Sequence, residues 1–289
     1  MWDPLLREVA RARAEAPEGA GGGCPRCEGR GWVIEDDGGA GTARPCGCRD
    51  EGREARLLAA AGIPDRYRRC SLARFHNHSP DPGARRQLHE AVAVSRRYVE
   101  EFVQPGGGFR ESGLLYVGPP GVGKTHLAVA VLGELIETYR LRGRFVDFTS
   151  LIHQIQSTFD PGSPESKRQV LDPVVEAEVL VLDELGAQKP TAWVTDILYL
   201  IINRRYTRRL PTLFTTNYRL DPEQPAAPAR RGRGADPATA GAGAGGGHLD
   251  SRVPPMLVSR LHEMAHPIAL TAVGDYRSEV GAHRHRIST

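Results

Sequence analysis

The feature that most constrains the fold of this 289-residue chain is a glycine-rich loop at residues 118–125. The loop matches the pattern G-x-x-x-x-G-K-[ST] at every fixed position, with an apolar strand before it and a helical segment after it. Its glycines let the backbone curl so that N–H groups point at phosphate oxygens, and the helix N-terminus adds a favourable dipole. The predicted nucleotide-binding residues are Gly118, Pro119, Pro120, Gly121, Val122, Gly123, Lys124, Thr125 and His126.

Two side chains at the end of this loop have distinct predicted roles. Lys124 is placed to neutralise the β- and γ-phosphates of ATP, and Thr125 is placed to hold Mg²⁺. The alternative is a glycine-rich turn without a ligand, but the motif and its context both favour a nucleotide.

An acidic pair follows four apolar residues, 179–182, at the end of a predicted buried strand. This is the Walker B arrangement, in which Asp183 would hold Mg²⁺ and Glu184 would polarise the attacking water. An ordinary exposed acid pair at a strand end is the alternative. The glutamate beside Asp183 indicates hydrolysis of ATP and not binding alone.

Two residues further along the chain complete the predicted catalytic set. Asn217 ends the next apolar strand, where a polar side chain would lie between Glu184 and the γ-phosphate and orient the water; the alternative is the start of a turn. Arg260 comes later and could act in trans as an arginine finger, which stabilises transition-state charge. The alternative for Arg260 is a solvated helix arginine.

The remaining pattern alternates strands with helices, which predicts a parallel α/β sheet with helices on both faces. Predicted strands are 114–117, 144–149, 179–183, 212–217 and 267–272, and predicted helices are 50–61, 85–103, 124–139, 150–158, 191–208 and 254–264. Residues 160–168 are predicted to form a loop. Residues 222–248 hold too few apolar side chains to offset ordering entropy, so they are predicted to be a disordered insertion.

A Gly-Ile-Pro sequence at residues 62–64 ends the helix that precedes this core, and it predicts a domain boundary there. The expected organisation is therefore an N-terminal region over 1–61 and an ATPase domain over 62–289.

The N-terminal region carries four of the five cysteines, as one C-x-x-C pair and one C-x-C pair separated by 18 residues. Two close thiolate pairs at that distance suit one tetrahedral Zn²⁺ with four sulfur ligands, and a redox dithiol is the alternative. With few apolar residues, such a region would hardly fold without metal. The predicted ligands are Cys24, Cys27, Cys46 and Cys48, while Cys70 lies outside the cluster.

Charge and hydropathy limit what else can be inferred. The formal net charge is +3, so nucleic-acid binding has to be argued from local clusters rather than from the total. Arginines cluster at 66–69, 204–209 and 230–233, where they could contact phosphates or simply form a solvated surface. No apolar run approaches the roughly 18 residues that cross a bilayer. We therefore expect no membrane association and a cytoplasmic location.

Taken in order, the motifs at 118–125, 179–184, 215–217 and 259–261 resemble those of AAA+ ATPases, specifically the DnaC/DnaI-type helicase loaders and their IstB-like relatives. The segments 62–67 and 274–277 also resemble this group. The resemblance covers about 62–280, apart from the predicted insertion. The ordered set is more specific than the glycine-rich loop alone, which many families share.

This resemblance implies an ATP-dependent homo-oligomer with ATP at its subunit interfaces, where Arg260 completes a neighbour's site. It also implies a replicative hexameric helicase and single-stranded DNA as partners, with hydrolysis driving release and residues 1–61 docking on the helicase. An IstB-like helper of DNA transposition is the main alternative. A zinc-dependent adaptor that uses ATP only as a switch, and a small-molecule kinase, are further ones.

The segment after the last predicted strand departs from typical AAA+ proteins. About 17 residues follow that strand, which leaves little or no room for a C-terminal helical lid. Arg277 in this segment could touch the nucleotide or pack against the sheet, and both roles stay open.

Overall fold

The computed structural model describes residues 27, 32–35, 42–75, 79–104, 108–160, 162, 164–220 and 247–276. The chain divides into two compact units, residues 1–56 and residues 57–289. In the first unit, strands β1 (Trp32–Glu35) and β2 (Thr42–Pro45) pair antiparallel, and helix α1 (Cys48–Ala60) begins directly after them and crosses the division. The predicted boundary at residue 62 stays a prediction.

The second unit alternates strands and helices along the chain. Its elements are α2 (Pro82–Glu100), β3 (Gly113–Val117), α3 (Lys124–Tyr139), β4 (Gly143–Asp147), α4 (Phe148–Ser157), α5 (Lys167–Glu176), β5 (Val179–Asp183), α6 (Ala192–Thr207), β6 (Thr212–Thr216), α7 (Pro255–Met264) and β7 (Ala265–Ala269).

The five strands of this unit form one parallel sheet in the order β4-β5-β6-β3-β7. Every residue of β3, β5 and β6 is buried, as expected for inner strands covered on both faces. Alternation along β3 separates two cores: Leu114 faces the core that holds α2 and α3, and Leu115 faces the core built from α4, α5, α6 and α7. The predicted parallel α/β sheet is confirmed.

Helix α5 was not predicted from the sequence. It begins at Lys167, inside the loop predicted over 160–168. Pro173 interrupts the helical pattern and removes one backbone donor. A capping box between Ser166 and Gln169 nevertheless starts the helix, and four apolar side chains bury one face of it against the second core. Those side chains are Val170, Leu171, Val174 and Val175.

The last strand also lies earlier than predicted, at Ala265–Ala269 instead of 267–272. Helix α7 runs into it without an intervening loop, and Ala269 pairs with Val117 at the other end of the strand. Pro267 lies inside this strand, which β7 tolerates because it is an edge strand of the sheet.

Residues 222–246 of the predicted insertion lie outside the described residues. The described residues on either side of this segment are hydrogen-bonded to each other. The backbone amide of Arg219 donates to the carbonyl of Gly247 at 3.1 Å, and the carbonyl of Arg219 accepts from the amide of Leu249 at 2.8 Å. Gly247 and His248, the last two residues of the predicted insertion, thus belong to the described structure. Among the described helices, none is both long enough and apolar enough to span a bilayer.

Candidate nucleotide site

The glycine-rich loop connects the end of β3 to the start of α3, and its shape depends on glycine at two positions. Gly121 and Gly123 have φ angles of 80° and 95°, in the left-handed region that side chains disfavour. A Cβ at Gly121 would lie 1.8 Å from Oδ1 of Asp275, and one at Gly123 would lie 2.8 Å from the ring of Phe75. The loop is therefore packed against segments that come before and after the sheet in the chain.

Lys124 begins α3 and is almost completely buried, with 7% of its surface exposed. Its Nζ donates a hydrogen bond of 2.8 Å to the carbonyl oxygen of Pro119 within the same loop. A buried ammonium needs such acceptors, and phosphate oxygens are stronger acceptors than a neutral carbonyl. The lysine is thus held inside the loop, where an anionic ligand can take over its hydrogen bond.

The hydroxyls of two threonines converge on the Walker B aspartate. Thr125 Oγ1 donates to Oδ1 of Asp183 at 3.0 Å, and Thr215 Oγ1 donates to the same oxygen at 2.5 Å. Burial raises the pKa of Asp183 and the nearby Asp147 raises it further, while the two threonine hydrogen bonds and Lys124 lower it in part. A hydroxyl and a carboxylate are the oxygen donors that Mg²⁺ takes, so the pair fits the predicted Mg²⁺ site.

Glu184 follows Asp183 directly but has a different environment. Its backbone has a φ angle of 59°, which is costly for a residue with a side chain, and its amide donates to Oγ1 of Thr215 at 3.0 Å. The next amide, that of Leu185, donates to the carbonyl of Thr215 at 2.8 Å. This turn leaves the Glu184 side chain exposed while the Asp183 carboxylate stays buried, so two adjacent acids are suited to different tasks.

A cavity of about 290 Å³ lies beside the loop, close to the lower end of the usual range for ligand pockets. It brings together much of the predicted site. Gly118, Pro119 and Asp183 are not among the residues that line it. The predicted residues that line the cavity are Pro120, Gly121, Val122, Gly123, Lys124, Thr125, His126, Glu184 and Asn217.

Several lining residues were not predicted as nucleotide contacts. Arg66 donates to the hydroxyl of Tyr67 at 2.7 Å, and its guanidinium carbon lies 4.4 Å from the centre of that ring. Phe75 contacts the His126 ring edge-to-face, with centroids 5.1 Å apart. The chain segments at 62–67 and 274–277 resembled the family, but no local pattern indicated a cavity wall. The additional lining residues include Arg66, Tyr67, Arg74, Phe75 and Tyr276.

Arg260 does not line this cavity. Its guanidinium carbon lies 5.3 Å from the ring centre of Tyr199 and 5.4 Å from that of Tyr206. Tyr206 is six residues before the first residue of β6, and Arg260 is five residues before the first residue of β7. Arg260 is therefore near the amino ends of the parallel strands, whereas the glycine-rich loop lies at their carboxyl ends. Arg277 and its predicted alternatives lie outside the described residues.

The cysteine cluster forms part of the first unit. Cys27 and Cys46 are buried, and their sulfurs and that of Cys48 all lie within 4.8 Å of one another. Tetrahedral Zn²⁺ with Zn–S bonds of about 2.3 Å places sulfurs roughly 3.8 Å apart, and Cys27 Sγ lies 3.4 Å from Cys48 Sγ. The three thiols thus fit a zinc site, which stays a prediction. Cys24, the fourth predicted ligand, lies outside the described residues.

Comparison with known proteins places the central part of the chain in one family. Residues 97–223 match the family model described as IstB-like ATP binding protein. A crystal structure of the DnaC helicase loader is 30% identical, with a TM-score of 0.53, over 71% of this chain and 99% of that one. A crystal structure of DnaI has a TM-score of 0.52 at 23% identity, which supports the fold.

Curated proteins are also similar to this chain over part of their length. The phage-like element PBSX protein XkdC of Bacillus subtilis is 26% identical over 203 residues, which cover 68% of this chain and 73% of that protein. The replicative helicase loader DnaC of Escherichia coli is 30% identical over 169 residues, which cover 57% of this chain and 62% of that protein. The chain thus spans less than two thirds of the length of the Escherichia coli relative.

Proposed function

This chain belongs to the IstB-type, DnaC-like family of AAA+ ATP-binding proteins, and on that premise we propose that it loads a replicative hexameric helicase onto single-stranded DNA. The similar Escherichia coli protein is named a replicative helicase loader. One observation carries the ATP-dependent part of the proposal. Thr125 and Thr215 both hydrogen-bond Asp183, and this joins the glycine-rich loop, the Walker B strand and the next strand into one site.

The residues of this site have separable roles in binding ATP. The loop amides and Lys124 would hold the phosphates, because the loop has the required left-handed glycines and the lysine is already buried within it. Thr125 and Asp183 would hold Mg²⁺, which neutralises charge on the phosphate oxygens. Burial of Asp183 favours this role, since a bound cation relieves the cost of keeping that carboxylate ionised.

Hydrolysis is assigned to the exposed part of the same cavity. Glu184 would accept a proton from the attacking water, and Asn217 would orient that water against the terminal phosphate. Both side chains line the cavity, and the turn after Asp183 keeps the Glu184 carboxylate accessible.

Arg260 would act on the ATP of a neighbouring subunit. It lies near the amino ends of the strands, at the opposite end from its own glycine-rich loop, and it does not line the cavity of its own chain. A homo-oligomer with ATP at its interfaces would bring this arginine to a neighbour's phosphates. Hydrolysis in such an assembly would release the helicase and the DNA.

Residues 1–61 would provide the docking region for the helicase, held together by Zn²⁺ bound to Cys24, Cys27, Cys46 and Cys48. The convergence of three of these sulfurs supports the metal-binding part of this proposal. It also favours a loader over the transposition helper, because IstB-like helpers are not expected to carry this cluster.

Co-purification with a replicative helicase tests the proposal. The wild-type chain is expected to bind the helicase with ATP, and Glu184→Gln is expected to prolong that complex because it binds ATP without turnover. Lys124→Ala should bind no nucleotide and should not respond to ATP. Failure of the wild-type chain to bind the helicase, both with and without ATP, would overturn the loader assignment.

The chain matches the family described as IstB-like ATP binding protein. The alternative function is therefore that of an IstB-like ATPase that helps DNA transposition. Such a helper would assemble on duplex DNA beside a transposase. Capture of a transposase in place of a helicase, together with tighter binding to duplex than to single-stranded DNA, would favour this alternative.

A further inference from the structure

Arg260 lies between two aromatic rings of one helix. Tyr199 and Tyr206 are seven residues apart on α6, which is two helical turns or about 10.5 Å along its axis. The guanidinium carbon lies 5.3 Å from one ring centre and 5.4 Å from the other, so it occupies the space between the rings. Both distances fall within the range over which an aromatic face attracts a cation.

A carboxylate that could neutralise this arginine is occupied elsewhere. Glu263 lies three residues after Arg260 on α7, a spacing at which opposite charges commonly pair on a helix. Arg260 nevertheless makes no ion pair with any residue in the described part of the chain. Both carboxylate oxygens of Glu263 instead lie 3.0 Å from the hydroxyl of Tyr206, which donates to them. Tyr206 therefore contacts the arginine with its ring and the glutamate with its hydroxyl.

This arrangement holds a cation without using its hydrogen-bond donors. A bidentate carboxylate would cancel the charge of Arg260 and occupy the N–H groups that bind phosphate. Ring faces attract the charge through their quadrupole and leave those groups unbonded. Accordingly, Nη1 of Arg260 is buried without a hydrogen-bond partner among the described residues, a state that is costly in a folded chain.

We propose that Tyr199 and Tyr206 are positioning residues that keep Arg260 free of a carboxylate partner and so available to the phosphates of ATP bound to a second copy of this chain. This inference rests on the proposed action of Arg260 in trans. Tyr199 supplies one ring, and Tyr206 supplies the other ring and also keeps Glu263 away from the arginine.

Replacing one ring tests the first half of this proposal. Tyr199→Leu removes the aromatic face, and it is expected to lower kcat for ATP by about 2- to 5-fold, with KM unchanged because the cavity of the same chain is intact. Tyr199→Phe keeps the ring and is the matched control, expected to hydrolyse ATP like wild type. Steady-state hydrolysis with single-stranded DNA present gives both constants, and thermal melting checks that each variant folds.

Tyr206 allows a rescue experiment that a purely structural role would not pass. Tyr206→Phe keeps the ring but frees Glu263, which can then pair with Arg260 and lower kcat by several-fold. Adding Glu263→Gln removes the competing charge, so Tyr206→Phe/Glu263→Gln is expected to recover wild-type kcat, while Glu263→Gln alone stays near wild type.

The outcomes separate this inference from the proposed function. If Arg260→Ala turns over ATP like wild type, Arg260 has no role in trans and the proposed function fails at that point. If Arg260→Ala loses activity while Tyr199→Leu and Tyr206→Phe keep wild-type kcat, the arginine acts without the two tyrosines and the inference is wrong. If Glu263→Gln fails to rescue a defective Tyr206→Phe, the assigned role of the Tyr206 hydroxyl is wrong.

Discussion

At the nucleotide site, polar groups from separate parts of the chain hydrogen-bond one another, whereas in the cysteine cluster three sulfurs converge within 4.8 Å. Asp183 accepts hydrogen bonds from Thr125 and Thr215, and the loop packs on Asp275 and Phe75. Cys27 precedes strand β1, Cys46 directly follows strand β2, and Cys48 begins helix α1. Within the described part of residues 1–56, the buried apolar side chains are Cys27 and Cys46.

This difference separates two ways of building a functional centre. The cavity is supported by a five-stranded sheet with a core on each face, so it should be formed before ATP or Mg²⁺ binds. Among the side chains of residues 1–56 whose burial the structure describes, Cys27 and Cys46 are the buried ones, and three converging thiols gain stability chiefly when a metal binds them. Changes at the cavity should therefore alter chemistry while the fold survives, and changes at the cluster should alter the local fold while the chemistry survives.

The largest expected effect is at the cavity. Glu184→Gln removes the base that activates water, and it is expected to lower kcat by at least about 100-fold, the usual scale for general-base removal. Binding of ATP and the melting temperature should stay close to wild type, because the side chain is exposed. Glu176→Gln, a charge loss at the exposed end of α5, is the matched control. Wild-type turnover in Glu184→Gln would remove the catalytic assignment.

At the cluster, Cys27→Ser is expected to abolish stoichiometric zinc, from about one ion per chain to almost none. Limited proteolysis should then cut within residues 1–56, while ATP hydrolysis without helicase stays at the wild-type rate. Cys70→Ser is the control, because that thiol lies outside the cluster and its burial raises its pKa. Zinc absent from reduced, unchelated wild-type protein would contradict the metal assignment, and loss of ATP hydrolysis in Cys27→Ser would break the comparison.

An intermediate effect is expected from Gly121→Ala. The added methyl group would overlap Asp275 and strain a left-handed φ angle, so ATP affinity should fall by roughly 10-fold, from a strain of about 1–2 kcal/mol. Gly133→Ala is the matched control, since its Cβ would meet no atom within 4 Å and a helical alanine is favoured. Equal ATP affinities for the two variants, measured by titration calorimetry, would show that the cavity is not preformed.

The smallest effect concerns Asp183→Asn without ligand. Burial raises the pKa of Asp183 in the folded chain, so its stabilising contribution is present at low pH and is lost as pH rises through that raised pKa. At pH 7 the amide should therefore raise the melting temperature, by about 2 °C if the gain is near 1 kcal/mol. The gain should shrink as pH falls. With Mg²⁺ and ATP the order should reverse, because only wild type holds the metal. A lower melting temperature for the ligand-free variant would contradict this account.

Local sequence patterns predicted the parts of the site that lie on consecutive residues. The loop at 118–125, Glu184 and Asn217 each follow a strand of the parallel sheet and Asp183 ends one, so the topology brings them to one edge. The opposite wall was not predictable, because Arg66, Phe75 and Tyr276 reach the cavity through packing between distant segments. Helix α5 was missed for a local reason, since Pro173 hides a capped helix that tertiary burial stabilises.

The central claim is that this cavity hydrolyses ATP with an arginine from a second copy, and a mixing experiment tests it most directly. Lys124→Ala and Arg260→Ala should each be inactive alone. Mixed in equal amounts, they should recover activity, up to about a quarter of wild type if subunits assemble at random through head-to-tail interfaces. Lys124→Ala mixed with Glu184→Gln, which damages the same cavity in both copies, should stay inactive. Wild-type turnover by Arg260→Ala alone, or no recovery in the first mixture, would contradict the account.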